Sequence, residues 1–177
     1  VAGQSNAVGW GGTLQSYSHG SLRAGLFGND DQWKELLDPT DDSAGQIDAV
    51  SNDAANPGGS IWPNLATLIM ADQNIPVAFI PTAKGGSTIR QWQKQLGSGV
   101  NNTDTTAYSS CPGTLDVTGL YGSMSRRINA VGGSVKAILF VQGENDATNN
   151  TSVSNYKSYA LCFTNNVYTD FGVPTVM

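Results

Sequence analysis

The chain has 177 residues, of which 13% are charged, with 14 acidic against 9 basic side chains and a formal net charge of −5. That length fits one compact domain able to bury a core without a metal or obligatory cross-links. The charge content is half the usual ~25%, so Ser, Thr, Asn and Gly fill the polar positions, as on an exported, carbohydrate-handling surface. No basic cluster exceeds Arg126-Arg127, which argues against a nucleic-acid partner, and no apolar run approaches the roughly 20 residues that span a bilayer.

The elements follow in chain order. "VAG" at the start reads as the end of a buried strand running into Gly3-Gln4-Ser5-Asn6. From Ala7 to Gly59 the signal weakens: "AGLFGNDDQWKELLD" reads as a hairpin turning at Asn29-Asp30, and the Gly-, Asn- and Asp-rich remainder reads as long loop, of the kind that tends to be functional. Ser60 is a candidate N-cap with Pro63 in the first turn. Trp62, Leu65, Ala66 and Ile69 then repeat at helical spacing until Asn74 and Pro76 stop the element. Val77 to Ala83 and Ala137 to Gly143 are nearly continuous in apolar residues, as expected of parallel strands covered on both faces. Leu120, Met124, Ile128 and Val131 form a second helical stripe ended by Gly132-Gly133. Tyr156, Tyr159, Ala160, Phe163, Val167 and Phe171 form a third, closed by Gly172 and Pro174, after which "PTVM" reads as the start of another strand.

Helix alternating with buried strand predicts an α/β fold with a parallel sheet and helices on both faces, whose ligands gather beyond the carboxyl ends of the strands. Three small-residue motifs fall on that rim: Gly3-Gln4-Ser5-Asn6, Lys84-Gly85-Gly86-Ser87 and Gln142-Gly143-Glu144-Asn145-Asp146. A serine there can attack a carbonyl. A glycine pair lets a backbone N–H point into a site unobstructed, and a Gln carboxamide can donate a second hydrogen bond. These are the parts of an acyl-transfer site. None is diagnostic alone, since a serine among glycines is usually a cap and a glycine pair usually a turn; their order and shared placement carry the argument.

With those blocks in view, the sequence resembles the SGNH hydrolases, and within them the sialate O-acetylesterases and the acetylxylan esterases of carbohydrate esterase family six. The matching stretches are "AGQSNAVG", "SIWPNLA" with "IPVAFIPTAKGGSTIRQW", and "ILFVQGENDA", and "GNDDQWKELLDP" resembles that branch's hairpin. The resemblance implies a three-layer α/β/α sandwich with a central parallel sheet, of the flavodoxin-like SGNH type, as a single domain over residues 1–177. It implies deacetylation of an acetylated carbohydrate through an acyl-enzyme on Ser5, with no metal and no cofactor. The oxyanion hole would be the N–H of Ser5, an N–H of the Gly85-Gly86 pair and the side chain of Gln142, where the wider superfamily uses Asn. Gln4 and Asn6 would support the site, and Glu144 and Asp146 would hold the first block's turn. Arg90 and Trp92 would face the sugar, or Trp92 packs on the sheet; Trp10 and Trp62 carry the same alternatives.

A serine hydroxyl needs a base, normally His oriented by a carboxylate. The one histidine, His19, lies in the polar loop "SYSHGS", whereas the family supplies Asp-x-x-His beyond the last strand, and no such motif occurs here. The expectation is that the first strand is incomplete, that the base lies beyond Met177, and that residues 1–177 alone are nearly inert. Substitution by His19 would require its loop to fold over the rim. A glycan-binding or adhesive module on the same fold is the alternative from another class. A lipase or thioesterase is disfavoured, because long acyl groups need an extended apolar groove and these loops are rich in Asn, Asp and Gly.

A secreted or periplasmic location is expected, although no signal peptide is visible in the chain. Cys111 and Cys162 are either two free thiols or one disulfide, which would close a loop of about 50 residues and add roughly 4 kcal/mol in the chain-entropy picture. The sequons at Asn101, Asn149 and Asn150 are glycan acceptors only in a eukaryotic secretory route.

Overall fold

The structure is a computed structural model, and it describes residues 1–40, 45–48, 50, 58–97, 111 and 113–177. The sequon at Asn101 lies outside them. Among the described residues are six strands: β1 (Ala2–Gly3), β2 (Ala24–Phe27), β3 (Trp33–Glu35), β4 (Val77–Phe79), β5 (Ile138–Val141) and β6 (Thr175–Val176). The helices are α1 (Ser5–Val8), α2 (Trp62–Gln73), α3 (Leu120–Ala130), α4 (Glu144–Thr148) and α5 (Val153–Phe171), with a 3-10 turn at Ile89–Trp92.

Two parallel ladders, β4 on β2 and β1-β5-β6, are joined edge to edge. The amino group of Val1 donates to Ile80 O (2.8 Å), and the N–H groups of Thr82 and Lys84 donate to Val1 O and Gly3 O, both at 2.9 Å. This is parallel pairing of β1 with the extended continuation of β4. The sheet order is therefore β3-β2-β4-β1-β5-β6, with only β3 antiparallel. The hairpin is where the sequence places it, but β2 is also a strand of the main sheet. Its four residues, one of them glycine, carry too short an apolar run to announce that from sequence.

Successive side chains of β5 serve opposite faces, as the two-residue period of a strand requires. Ile138 and Phe140 join α3 and α5 in one core, while Leu139 and Val141 pack with α2 in the other. The first core is aromatic: Phe140 stacks on Phe163 at 4.4 Å, and Trp92 stands perpendicular to both at 5.5 and 6.2 Å. The second centres on Trp62, Ala66 and Met70 of α2 with Leu26 and Phe79. A Leu, Met or Phe side chain buried in this way contributes about 1.5–3 kcal/mol by leaving water.

Helix ends follow local chemistry. Asn74 takes a left-handed conformation and closes α2 through its N–H to Met70 O, Gly172 does the same for α5, and the Ser152 hydroxyl caps α5 by accepting from Asn155 N. The N-cap of α2 is Ile61, not the expected Ser60; Ser60 Oγ accepts from Trp62 N (3.3 Å) and donates to Asp38 (2.6 Å), tying the start of the helix to the segment after β3. Arg126 of α3 grips Asp31 and Asp48 at 2.9–3.1 Å, holding the hairpin turn against the helix. Cys111 and Cys162 form a disulfide that anchors the middle of α5 to the segment preceding α3.

Candidate active site

The three motifs sit at the carboxyl ends of β4, β1 and β5, which are adjacent strands in the sheet. The chain steps outward from β1 to β2, returns to β4, then crosses β1 to reach β5. The connections therefore diverge at the centre of the sheet, the position where open α/β sheets place their ligands.

The first block turns abruptly because Gly3 allows it. Its φ is +132°, and a Cβ at that position would stand 1.9 Å from Val141 O, so only glycine lets β1 pass β5 this closely. Gln4 N then donates to Val141 O (2.9 Å), and Gln4 O accepts from Ala7 N and Val8 N, starting the single turn α1 with Ser5 at its first position. Ala7 and Val8 are buried beneath, and Ala7 O receives the Trp62 indole N–H at 2.7 Å. Ser5 is half-buried and Asn6 exposed, which places the serine on the rim with its turn anchored from below.

The second block leaves β4 at Lys84 and turns at Gly85-Gly86, where Gly86 has φ +68° and faces open space. Ser87 is buried: its hydroxyl reaches Gly3 O (3.4 Å) and accepts the Trp92 indole N–H (3.1 Å). Thr88 and Gln91 form a capping box that starts the 3-10 turn.

The third block stitches the other two together. Glu144 accepts from the Asn6 side chain, Asn145 N donates to Gln4 Oε1 (3.1 Å), and the Asn145 amide donates to Gly86 O. Asp146 is buried and takes hydrogen bonds from Ile89 N (2.7 Å), Thr151 Oγ1 (3.0 Å) and the Gln142 amide nitrogen. Gln142 also donates to Ser87 O (3.1 Å), while its Oε1 accepts from the Tyr156 hydroxyl (3.1 Å). The Tyr156 phenol is held above its ordinary pKa by burial, then by the negative charges of Asp146 and Glu144.

Gln4 and Asn6, the neighbours of Ser5, are thus linked by hydrogen bonds to the third block, and the third block to Gly86, Ser87 and Ile89 of the second. Glu144 accepts from the Asn6 side chain of the first block. Asp146 instead holds the second, because as the third residue of α4 (Glu144–Thr148) it lies inward against the 3-10 turn. Trp92 does not face a sugar: it is fully buried among Phe140 and Phe163 with its N–H spent on Ser87. Trp62 is likewise core. Trp10 is exposed just after α1, and Arg90 is half-buried on the 3-10 turn.

His19 is not at the rim. Its Nδ1 accepts from Leu22 N (3.2 Å) within its own loop, and the neighbouring Ser18 N is pinned to Thr67 on α2. Two contributors went unseen in the sequence. Asn145 lies within a recognised block with nothing to mark it, and Tyr156 reads as one more member of a helical core stripe. Among the described residues no group of three or more His, Cys, Asp or Glu is arranged to hold a metal ion, and no helix is long and apolar enough to cross a membrane.

Comparison with known proteins bears on the fold and the family. A solved X-ray structure of an Arabidopsis thaliana protein superimposes with a TM-score of 0.61 over 98% of this chain and 70% of its own, at 19% identity, a likeness of fold. A search of curated sequences returned no significant match. Residues 1–177 match the family described as carbohydrate esterase, sialic acid-specific acetylesterase. The chain, an α/β sandwich around a parallel sheet, belongs to that carbohydrate esterase family.

Proposed function

We propose that the protein is a serine O-acetylesterase that removes acetyl groups from a glycan of the sialic acid or xylan type, with Ser5 as nucleophile. The observation that carries this reading is that the residue before Ser5, Gln4, is bonded across 141 positions to Asn145 of the third motif, which in turn is bonded to Gly86 of the second. Ser5 Oγ attacks the acetyl carbonyl and a tetrahedral oxyanion forms. Its collapse releases the sugar hydroxyl and leaves acetyl-Ser5, which water then hydrolyses to acetate. The oxyanion is received by the N–H of Ser5, an N–H of the Gly85-Gly86 pair and the Gln142 amide. The Gln142 proton now on Ser87 O is the one to be exchanged, because a charged oxygen is a stronger acceptor than a neutral carbonyl.

The proton from Ser5 needs a base. His19 is committed to Leu22 N, so in this reading the base comes from outside residues 1–177, and those residues alone are nearly inert. Exposed Trp10 and half-buried Arg90 are the nearest candidates in sequence to the first and second blocks for contacting sugar. The Cys111–Cys162 disulfide supports an oxidising location, secreted or periplasmic.

The test is hydrolysis of p-nitrophenyl acetate, acetylated sialic acid and acetylated xylo-oligosaccharides by the intact protein beside Ser5→Ala. Equal turnover by the two proteins ends the serine reading. The engagement of His19 favours a second reading, a glycan-binding module without turnover, which predicts saturable binding of the same sugars and no acetate release from the intact protein.

A further inference from the structure

We propose that Tyr156 is a positioning residue for the oxyanion site: from α5 it fixes which end of the Gln142 carboxamide is available to the acyl oxygen. The inference rests on the serine-esterase reading and adds a residue that lies in none of the three motif blocks.

A carboxamide has two ends of nearly the same shape, and only the nitrogen end donates. Gln142 is half-buried, so its choice of end is made by its neighbours. On one side stand Ser87 O at 3.1 Å and the Asp146 carboxylate, both pure acceptors that call for nitrogen. On the other stands the Tyr156 hydroxyl, 3.1 Å from Gln142 Oε1 and 3.1 Å from Gln142 O, a donor that calls for oxygen. Reversing the amide would set oxygen against a carboxylate and a carbonyl at once. Removing the phenol oxygen would leave Oε1 without this donor; it would then turn toward water, and the nitrogen, on the same rigid plane, would swing away from the rim.

The phenol is well placed for this task. Tyr156 sits in the first turn of α5, where its own N–H donates to Ser152 O (2.9 Å) and the Ser152 hydroxyl caps the helix. A 19-residue helix packed on the sheet is a rigid mount. Gly143 lies beside it: a Cβ there would make an ordinary contact with the Tyr156 oxygen at 3.5 Å. Burial and the nearby carboxylates keep the hydroxyl protonated, so it stays a donor at any pH where the site works.

The experiment compares p-nitrophenyl acetate hydrolysis by the intact wild type, Ser5→Ala, Tyr156→Phe, Gln142→Ala and the double variant Tyr156→Phe/Gln142→Ala, with exposed Tyr168→Phe as control and thermal unfolding of each. Tyr156→Phe is expected to lower kcat about 5- to 10-fold with KM unchanged, and to have no further effect once Gln142 is gone. Full kcat in a folded Tyr156→Phe, or an equal loss with and without Gln142, overturns the inference while a dead Ser5→Ala leaves the esterase reading standing. Wild type and Ser5→Ala indistinguishable in turnover overturns both.

Discussion

At the carboxyl ends of β4, β1 and β5 the chain commits polar side chains to hydrogen bonds between blocks that cross 55 to 141 positions of sequence. At the amino ends of the same strands there is instead an apolar groove of about 540 Å³, lined by Val1, Ile75, Val77, Val131, Val135 and Leu139 among others. The backbone ladders are alike at both ends; what differs is how specific the side-chain contacts are. A hydrogen bond between named partners fails when either is removed, because the other is left unpaired. An apolar contact is non-directional and degrades in proportion to the area lost. The carboxyl rim should therefore be intolerant of small changes and the amino rim forgiving of them.

The strongest way to break this contrast is at Ser5. Ser5→Ala is expected to remove about five to six orders of magnitude of esterase turnover while leaving thermal unfolding unchanged, since the half-buried hydroxyl has no packing role that a methyl group would fail to fill. A second perturbation acts at neither end. Reducing the Cys111–Cys162 bridge, or replacing both cysteines with serine, is expected to cost about 4 kcal/mol in denaturant melts through the lost loop constraint, with activity per folded molecule retained. If activity falls without the bridge while the protein is still folded, the rim depends on α5 more than its direct contacts imply.

Asp146→Ala comes next, expected at about 3 kcal/mol together with a loss of kcat. It strands the donors Ile89 N, Thr151 Oγ1 and Gln142 Nε2 in a buried place. A neutral outcome in both stability and turnover would show that the stitched rim is slack.

Acid sharpens the comparison away from the rim. Burial by itself would raise the Asp48 pKa, but the charge of Arg127 and the hydrogen bonds from Ser123 and Arg126 outweigh it and hold the carboxylate below its ordinary value. A depressed folded pKa contributes stability above the unfolded value near ~3.9, lost as pH falls through the folded one. Unfolding measured from pH 5 downward should thus show a decline beginning below about pH 4, weakened in Ser123→Ala. The smallest effect is expected at Ile75→Ala on the amino rim. Ile75 is half-exposed, so stability should move by no more than about 0.5 kcal/mol with turnover unchanged; a large loss of activity there would erase the distinction between the two ends.

Much of the architecture is legible without coordinates, for local reasons. Asn74 and Gly172 stop helices by adopting left-handed conformations that few other residues accept, and the apolar stripe between Leu120 and Val131 needs only its own spacing to declare a helix. The unbroken apolar run at the start of β5 announces a strand covered on both faces. The motif order names the rim. β2 is different: its partner β4 is some 50 positions away, and nothing inside a four-residue strand says which neighbour it will find. Trp92 reads equally well as sugar platform or as core, and only the aromatic stack of Phe140 and Phe163 decides for core. The two cysteines are undecided until α5 brings Cys162 within 5.0 Å, Cα to Cα, of Cys111.

What the residues by themselves determine is therefore whatever depends on neighbours within a turn or two: helix ends, strand character, the glycine that lets β1 bend into Ser5, and the ordered motifs that mark a carbohydrate esterase. What tertiary structure alone decides is which partner each polar group meets. Asp146 faces the second motif instead of the first, His19 is consumed in its own loop, and Gln142 has its two ends told apart by Asp146 and Tyr156. Hydrogen-bond donors and acceptors are matched in space within about 3 Å, a distance that sequence separation does not record.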